Sequence, residues 1–205
     1  MKPPYWKKAC RELSANDPIL ARLIKQYRGE TLKSRGRAFE TLVRSIVGQQ
    51  ISVKAADSVW RKLLNTVADI TPEIILKTPS TDLRAAGLSE RKIIYIRDLA
   101  EKFLDGHIRP HGWHHCSDEE IILQLTSVRG IGRWTAEMFL IFHLLRPNVF
   151  PRDDLGLQKA LSILYKKRYP LSERQLDFFA KHFSPWASVA TWYLWRSLDP
   201  IPVEY

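Results

Sequence analysis

Two aspartates, Asp153 and Asp154, follow a glycine-rich turn at a distance of about one helix along the chain. The turn is a Gly-Ile-Gly sequence at 130–132, with Arg133 and Trp134 directly after it. Glycines let a backbone approach another molecule closely, and the N-terminus of a following helix offers N–H groups to an anion. A carboxylate at the start of the next helix can stabilise a developing positive charge. The spacing therefore predicts a phosphate-binding turn and a chemically active carboxylate one helix apart.

The charge of the chain fits such a turn. Its 205 residues include 32 lysines and arginines against 22 aspartates and glutamates, a formal net charge of +10 at pH 7. A basic protein attracts polyanions because displacing the counterions of phosphates drives association. A basic protein without a nucleic-acid partner would show the same excess, so charge alone leaves both interpretations open.

The cysteines and the apolar segments exclude several classes of protein. Cys10 and Cys116 are the only cysteines, too few for a disulfide framework or for the thiolates of an iron–sulfur cluster. No apolar run approaches the roughly 18 residues of a membrane span, and the N-terminus lacks the apolar core of a signal peptide. We therefore expect a cytoplasmic protein, associated with the nucleoid if its partner is DNA, and no membrane partner.

Apolar residues recur at helical spacing along the whole chain, and no segment alternates as a strand would. The fold class predicted is therefore all-α, with a length that allows one core divided into two lobes. Later helices are expected over 133–145, 155–165, 172–182 and 185–198, and a loop over 105–116.

Several short signals predict where helices begin. Ser52 is placed to cap a helix after the Gln49-Gln50 pair, and Ser117 with Glu120 forms a capping-box signature. Ser184 followed by proline at 185 predicts the start of the last helix.

Four histidines, His107, His111, His114 and His115, cluster beside Cys116. Their spacing matches no established zinc pattern, so we expect a polar surface loop and no metal site built from side chains.

The sequences Ile-Val-Gly-Gln-Gln-Ile-Ser-Val at 46–53 and Gly-Ile-Gly-Arg-Trp-Thr-Ala at 130–136 resemble the helix-hairpin-helix DNA glycosylase superfamily. The resemblance is closest to the 3-methyladenine DNA glycosylase II branch and covers about 39–195, with the hairpin at 128–132. It implies that 1–205 is a single glycosylase unit, a two-lobed helical fold with the active-site cleft between the lobes. Long members carry an N-terminal β-rich domain, so this chain resembles the compact form.

The resemblance also implies an activity. Such an enzyme hydrolyses the N-glycosidic bond of alkylated bases, of the 3-methyladenine and 7-methylguanine type, in double-stranded DNA, and leaves an abasic site for base excision repair. Relatives that also cleave the backbone carry a lysine where this chain has Trp134, and an indole cannot form a Schiff base. We therefore expect a monofunctional enzyme. We also expect a monomer. A glycosylase for deaminated or mismatched bases, and a non-catalytic DNA-binding module, are the alternatives.

The catalytic and pocket residues are carried over by position. Asp154 matches the catalytic aspartate and Asp153 its neighbour, although a helix start alone explains an aspartate there through capping. Trp134 and Trp195 match base-stacking positions, and Met138 stands where a tyrosine is usual. Electron-rich rings stabilise a stacked cation such as an N-alkylated purine, but packing in a core is the commoner fate of a tryptophan.

The DNA-binding residues follow in the same way. Gln50 matches the wedge that fills the space left by a flipped-out nucleotide, although a glutamine there could simply cap a helix or face solvent. Gly130, Ile131, Gly132 and Arg133 are expected to contact DNA.

The resemblance further implies a structural Na⁺ or K⁺ on hairpin backbone carbonyls, near Val128 and Gly130, and no other cofactor.

Overall fold

The computed structural model describes residues 3–34 and 36–199. In this part of the chain it contains α-helices, one 3-10 helix and no β-strand, which confirms the all-α prediction. The helices are α1 Trp6–Asn16, α2 Pro18–Gln26, α3 Ala38–Gly48, α4 Val53–Thr66, α5 Pro72–Lys77, α6 Ser80–Ala85, α7 Glu90–Leu104, the 3-10 helix Pro110–His115, α8 Asp118–Thr126, α9 Arg133–Phe142, α10 Leu155–Leu164, α11 Glu173–Phe183 and α12 Ala187–Leu198.

The chain divides into two compact units. The terminal unit comprises the described residues of 1–34 and 140–204, and the central unit those of 35–139. The terminal unit therefore contains α1, α2 and α10 to α12, whereas α3 to α8 and the hairpin lie in the central unit. The candidate wedge and hairpin belong to the central unit, and Asp154 belongs to the terminal one.

The terminal unit is built around aromatic side chains and one buried carboxylate. Trp6 of α1 packs edge-on against Trp192 of α12, with ring centroids 5.3 Å apart. Asp17 caps α2 by accepting from the backbone N–H groups of residues 19 and 20, and its Oδ2 accepts a 2.8 Å bond from the hydroxyl of Tyr165. Burial, and then the Asp17 charge, raise the pKa of Tyr165. Asp17 thus ties the start of α2 to the end of α10.

The predicted start of the last helix is wrong. Ser184 instead ends α11, and α12 begins at Ala187 without a side-chain cap from its N-cap residue. The backbone N–H of Ser188 donates to the carbonyl of Pro147 at 3.1 Å, and that of Ala187 donates to the Asn148 side chain at 3.4 Å. The first N–H groups of α12 therefore find their acceptors in a segment distant in sequence. No pattern of neighbouring residues could indicate where this helix begins.

The central unit contains the helix signals that local sequence predicted. Ser52 accepts from the backbone N–H of Ala55 and caps α4, and Ser117 and Glu120 form the capping box of α8. The core face of α3 buries an apolar stripe at helical spacing, which consists of Phe39, Leu42, Val43, Ile46 and Val47.

The segment 105–116 is more ordered than the predicted loop. It contains the 3-10 helix, in which Trp113 is buried against Phe139 and donates its indole N–H to Gln124 at 2.9 Å. Among the residues that the structure describes, no group of His, Cys, Asp and Glu side chains could hold a metal ion. No helix in the described ranges is long and apolar enough to span a membrane.

Candidate functional site

Gly130 is required by the local structure of the hairpin. Its φ of +81° lies in the left-handed region that favours glycine. A Cβ atom at this position would come within 2.1 Å of the Tyr95 ring, which lies against the glycine. The positive φ and the contact with Tyr95 are therefore sufficient to explain a glycine at position 130, with or without a DNA contact.

Gly132 has a different environment. Its carbonyl accepts the 3.1 Å bond from the backbone N–H of Ala136, so Gly132 is the N-cap residue of α9. A glycine has no side chain to cap the first turn, and a Cβ added here would meet nothing within 4 Å. Ile131 is buried between the two glycines, so only its backbone could contact a ligand. The start of α9 can thus present backbone N–H groups to an anion.

The side chain of Arg133 is already paired within the central unit. Its guanidinium contacts Glu119 and lies 3.2 Å from the carboxylate of Glu137. The bond with Glu119, ahead of the charge of Glu137, raises the pKa of Arg133, and the same bond lowers the pKa of Glu119. A phosphate would have to compete with these carboxylates, so the backbone is the stronger candidate for phosphate contact at this position.

The two glutamines before α4 have different environments. Gln50 is exposed and adopts a left-handed φ of +58°, which is uncommon for a residue with a side chain. Gln49 is half-buried, and its Nε2 donates a 2.9 Å hydrogen bond to the carbonyl of Gly130. Ser52 caps α4, whereas Gln49 is the C-cap residue of α3 and Gln50 faces solvent, so the alternative to a wedge stays open for Gln50. Sequence reasoning missed the role of Gln49.

The two aspartates also differ. Asp153 is exposed, whereas Asp154 is buried, with 8% of its surface accessible. Asp154 caps α10 by accepting a 2.6 Å bond from the backbone N–H of Leu157, and it accepts a 2.8 Å bond from the indole N–H of Trp195. Both bonds end on Oδ1, and hydrogen bonds to a carboxylate are stronger than those between neutral groups. The carboxylate is thereby fixed in one orientation at the positive end of a helix dipole.

Trp195 is held from its edge and from one face. Its ring is half-buried and stacks on Phe142, with an interplanar angle of 10° and centroids 5.7 Å apart. Gly156 lies beside it, where a Cβ would approach Oδ1 of Asp154 to 3.2 Å and the Trp195 ring to 3.5 Å. Phe142 therefore supports the ring that donates to this carboxylate, and Gly156 leaves the space that the ring and the carboxylate occupy; sequence reasoning missed both.

The other proposed pocket residues lie on α9. Trp134 is 40% exposed, as a ring offered to a base should be, whereas Met138 is only 4% exposed and offers little surface. Trp134 and Met138 belong to the central unit and Trp195 to the terminal unit. Their assembly into one pocket, and the cleft expected with it, stay predictions.

The carbonyls named for a monovalent cation each accept one hydrogen bond. The carbonyl of Val128 accepts from the backbone N–H of Ile131 at 3.1 Å, and that of Gly130 accepts from Gln49. A carbonyl oxygen has two lone pairs, so each of them keeps the capacity to contact a cation. Backbone oxygens suit Na⁺ or K⁺, and the site stays a prediction.

Known proteins share both the sequence and the fold. Residues 43–178 match the HhH-GPD superfamily of base excision DNA repair proteins. DNA-3-methyladenine glycosylase 1 of Schizosaccharomyces pombe is 33% identical over 195 residues, which cover 90% of this chain and 83% of that protein.

Two solved structures extend the likeness to nearly the whole chain. The S. pombe 3-methyladenine DNA glycosylase in complex with abasic DNA matches with a TM-score of 0.79 and 31% identity, over 97% of this chain and 100% of that chain. A DNA-3-methyladenine glycosidase from Bacillus halodurans matches with a TM-score of 0.83 and 32% identity, over 93% and 89%.

Proposed function

The chain belongs to the HhH-GPD superfamily of base excision DNA repair proteins, and we propose that it is a monofunctional DNA glycosylase for alkylated bases. The enzyme hydrolyses the N-glycosidic bond of lesions such as 3-methyladenine and 7-methylguanine in double-stranded DNA and leaves an abasic site. The names of the relatives, with a fold shared over nearly the whole chain, support this substrate class.

The fixed carboxylate of Asp154 is the observation that carries the proposal. Hydrolysis breaks the bond between C1′ of the deoxyribose and the ring nitrogen of the base, and the bonding electrons leave with the base. Positive charge then develops on the sugar, and a preoriented carboxylate stabilises it more than mobile water would. We assign the carboxylate of Asp154 to the sugar and to the attacking water, since the N–H bonds described above fix its orientation.

An alkylated purine needs little further activation. Its positive charge is neutralised when the bond breaks, so it leaves without a proton from a general acid. The same charge favours stacking on an electron-rich ring, by about 0.5–2 kcal/mol. Trp134 and Trp195 are the proposed rings; Met138, one turn after Trp134 on α9, is the third proposed pocket residue, although only 4% of its surface is exposed.

DNA contact is proposed through the backbone of the hairpin. The start of α9, with Gly132 as its N-cap, would bind phosphates through N–H groups, and Gln50 would fill the space left by the flipped nucleotide. The structural Na⁺ or K⁺ would lie on the carbonyls near Val128 and Gly130 and would orient the hairpin. We further propose that the protein acts as a monomer at the nucleoid.

Two alternatives predict different outcomes. A non-catalytic DNA-binding module would need Asp154 only as the cap of α10, so the additional bond from the Trp195 indole disfavours this alternative. A glycosylase for deaminated or mismatched bases would share the carboxylate and differ in the pocket.

The test is mass spectrometry of free bases released from methylated genomic DNA and from DNA that contains hypoxanthine or uracil. Release of methylated purines supports the proposal. Release of deaminated bases alone would support the other glycosylase, and release of neither would support the binding module.

A further inference from the structure

A side-chain hydrogen bond joins the wedge turn, residues 49–52, to the hairpin. Gln49 ends α3 as its C-cap residue, and its Nε2 donates to the carbonyl of Gly130 at 2.9 Å. The two residues are 81 positions apart in the chain. The next residue in the chain is Gln50, the proposed wedge. The hydrogen bond to the hairpin is therefore made by the residue directly before the wedge.

One side of α7 contacts the hairpin and the end of α3, directly before the wedge turn. Lys92, Tyr95 and Asp98 are spaced three residues apart, so they lie along one side of the helix. Lys92 donates from Nζ to the carbonyl of Val47, near the end of α3, at 2.7 Å.

Tyr95 and Asp98 contact the hairpin instead. The ring of Tyr95 lies against Gly130, and Oδ2 of Asp98 accepts a 2.8 Å bond from the backbone N–H of Arg129. Helix α7 therefore holds the end of α3 and the hairpin on one support, and Gln49 joins them directly.

We propose that Gln49 is a positioning residue that keeps the Gln50 wedge in register with the phosphate-binding hairpin. This role rests on the proposed function, in which the hairpin binds the DNA backbone and Gln50 enters the base stack. Binding of phosphates at the hairpin then fixes where Gln50 meets the duplex. Gln49 contacts neither the base nor the sugar, so it is not a catalytic residue.

The backbone of Gln50 explains why the wedge needs such support. Its left-handed conformation is costly for a residue with a side chain and persists only where the surroundings fix it. The hydrogen bond of the Gln49 side chain restrains residue 49, directly before Gln50, by joining it to the hairpin. The ring of Tyr95 in turn lies against Gly130 of that hairpin. Loss of that bond should leave the wedge present but free to take other conformations.

The test is a double-mutant cycle between Gln49 and Gln50. Gln49→Met keeps the length of the side chain and removes the amide donor, and Gln50→Ala removes the wedge. We expect Gln49→Met to slow single-turnover release of 7-methylguanine by about 3–10-fold, as loss of one hydrogen bond predicts, and Gln50→Ala to slow it at least as much. In the Gln50→Ala background, Gln49→Met should cost less than about 2-fold, because the group that it positions is gone.

A second readout separates positioning from general stability. Duplex DNA with 2-aminopurine beside a tetrahydrofuran abasic-site analogue reports unstacking without any chemistry. Gln49→Met should reduce the fluorescence rise as Gln50→Ala does, with unchanged affinity for undamaged duplex and unchanged thermal melting. Gln26→Met is the matched control, because its exposed amide donates to the hydroxyl of the neighbouring Tyr27, and it should behave as wild type in both assays.

Three results would overturn the role of Gln49. These are multiplicative losses in the double variant, unstacking by Gln49→Met equal to that of wild type, and an equal loss of affinity for undamaged DNA. The fluorescence assay also separates this inference from the proposed substrate. A wild-type protein that unstacks DNA but releases no alkylated base would refute the substrate, whereas the comparison with Gln49→Met would still decide the coupling.

Discussion

The indole N–H of Trp195 donates a 2.8 Å hydrogen bond to Oδ1 of Asp154, the proposed catalytic carboxylate. A residue expected only as a wall of the base pocket is therefore also part of the support for the carboxylate. The stack on Phe142 fixes the plane of the indole, and the hydrogen bond from the indole N–H fixes the orientation of the carboxylate. Positioning and base stacking can be separated, because different parts of the same side chain carry them.

Trp195→Phe should slow base release about 10-fold or more, the loss expected for a hydrogen bond to a charged group. A phenyl ring keeps the face that stacks, so single-turnover rates should fall equally for 7-methylguanine and for neutral hypoxanthine. Trp195→Leu also removes the electron-rich face and should therefore reduce the rate for the cationic base more. A full wild-type rate for Trp195→Phe would show that the hydrogen bond has no catalytic part.

The matched control is Trp192→Phe on the same helix. Trp192 is buried and packs against Trp6 in the core of the terminal unit. The substitution should lower the melting temperature and leave the rate of release near that of wild type. A rate loss like that of Trp195→Phe would indicate a general packing effect.

Asp154→Asn should abolish base release and leave DNA binding near normal. Asparagine is also a good N-cap, so α10 should keep its start while the negative charge is lost. Single-turnover assays should show a loss of far more than 10-fold, with Asp153→Asn, an exposed neighbour, close to wild type. A variant that retains more than about a tenth of the rate, a barrier change below about 1.4 kcal/mol, would contradict the assigned role.

The two hairpin glycines should respond differently to alanine. Gly130→Ala places a Cβ against Tyr95 at a positive φ, so it should destabilise the protein by about 1–3 kcal/mol in thermal melting. Gly132→Ala has room for its methyl group, so it should destabilise the protein less, by about 1 kcal/mol or below for alanine at an N-cap. It should still weaken binding of damaged and undamaged duplexes by similar factors, because a phosphate contact carries no base identity. Loss of affinity for damaged DNA alone would argue against the phosphate role.

Borohydride should trap no covalent adduct between this protein and DNA that contains a lesion or an abasic site. Trapping requires an amine that forms a Schiff base, and Trp134 stands where lyase-competent relatives carry lysine. A lyase-competent relative under the same conditions provides the positive control. An adduct that maps to any lysine of this chain would overturn the monofunctional assignment.

Sequence predicted those parts of the fold that depend on neighbours in the chain. Two such local patterns are confirmed by the structure. Ser52 caps α4 by accepting from the N–H of Ala55, three residues later, and Ser117 and Glu120 form the capping box of α8. The apolar stripes that define an all-α chain are local in the same sense. The hairpin glycines predict a turn from local sequence alone. The contact with the Tyr95 ring, which requires a glycine at position 130, could not be predicted in that way.

Contacts between distant residues could not be predicted in this way. The bond from Trp195 to Asp154 joins residues 41 positions apart, and the bond from Gln49 to Gly130 joins residues 81 positions apart. The wrong prediction for the start of α12 has the same cause, because Pro147 and Asn148, in another segment, accept hydrogen bonds from its first N–H groups. The positions of the candidate site residues were read from the sequence, but their partners are set by packing.

The N-cap role of Asp154 changes how selection can act on it. Enzymes often hold catalytic groups in environments that reduce stability, so that variants gain thermal resistance as they lose activity. Here the same carboxylate begins a helix, and its removal by Asp154→Ala would also cost about 1 kcal/mol of capping energy. Mutational drift toward a more stable but inactive protein is therefore opposed at this residue, except by replacements such as asparagine that keep the cap of α10.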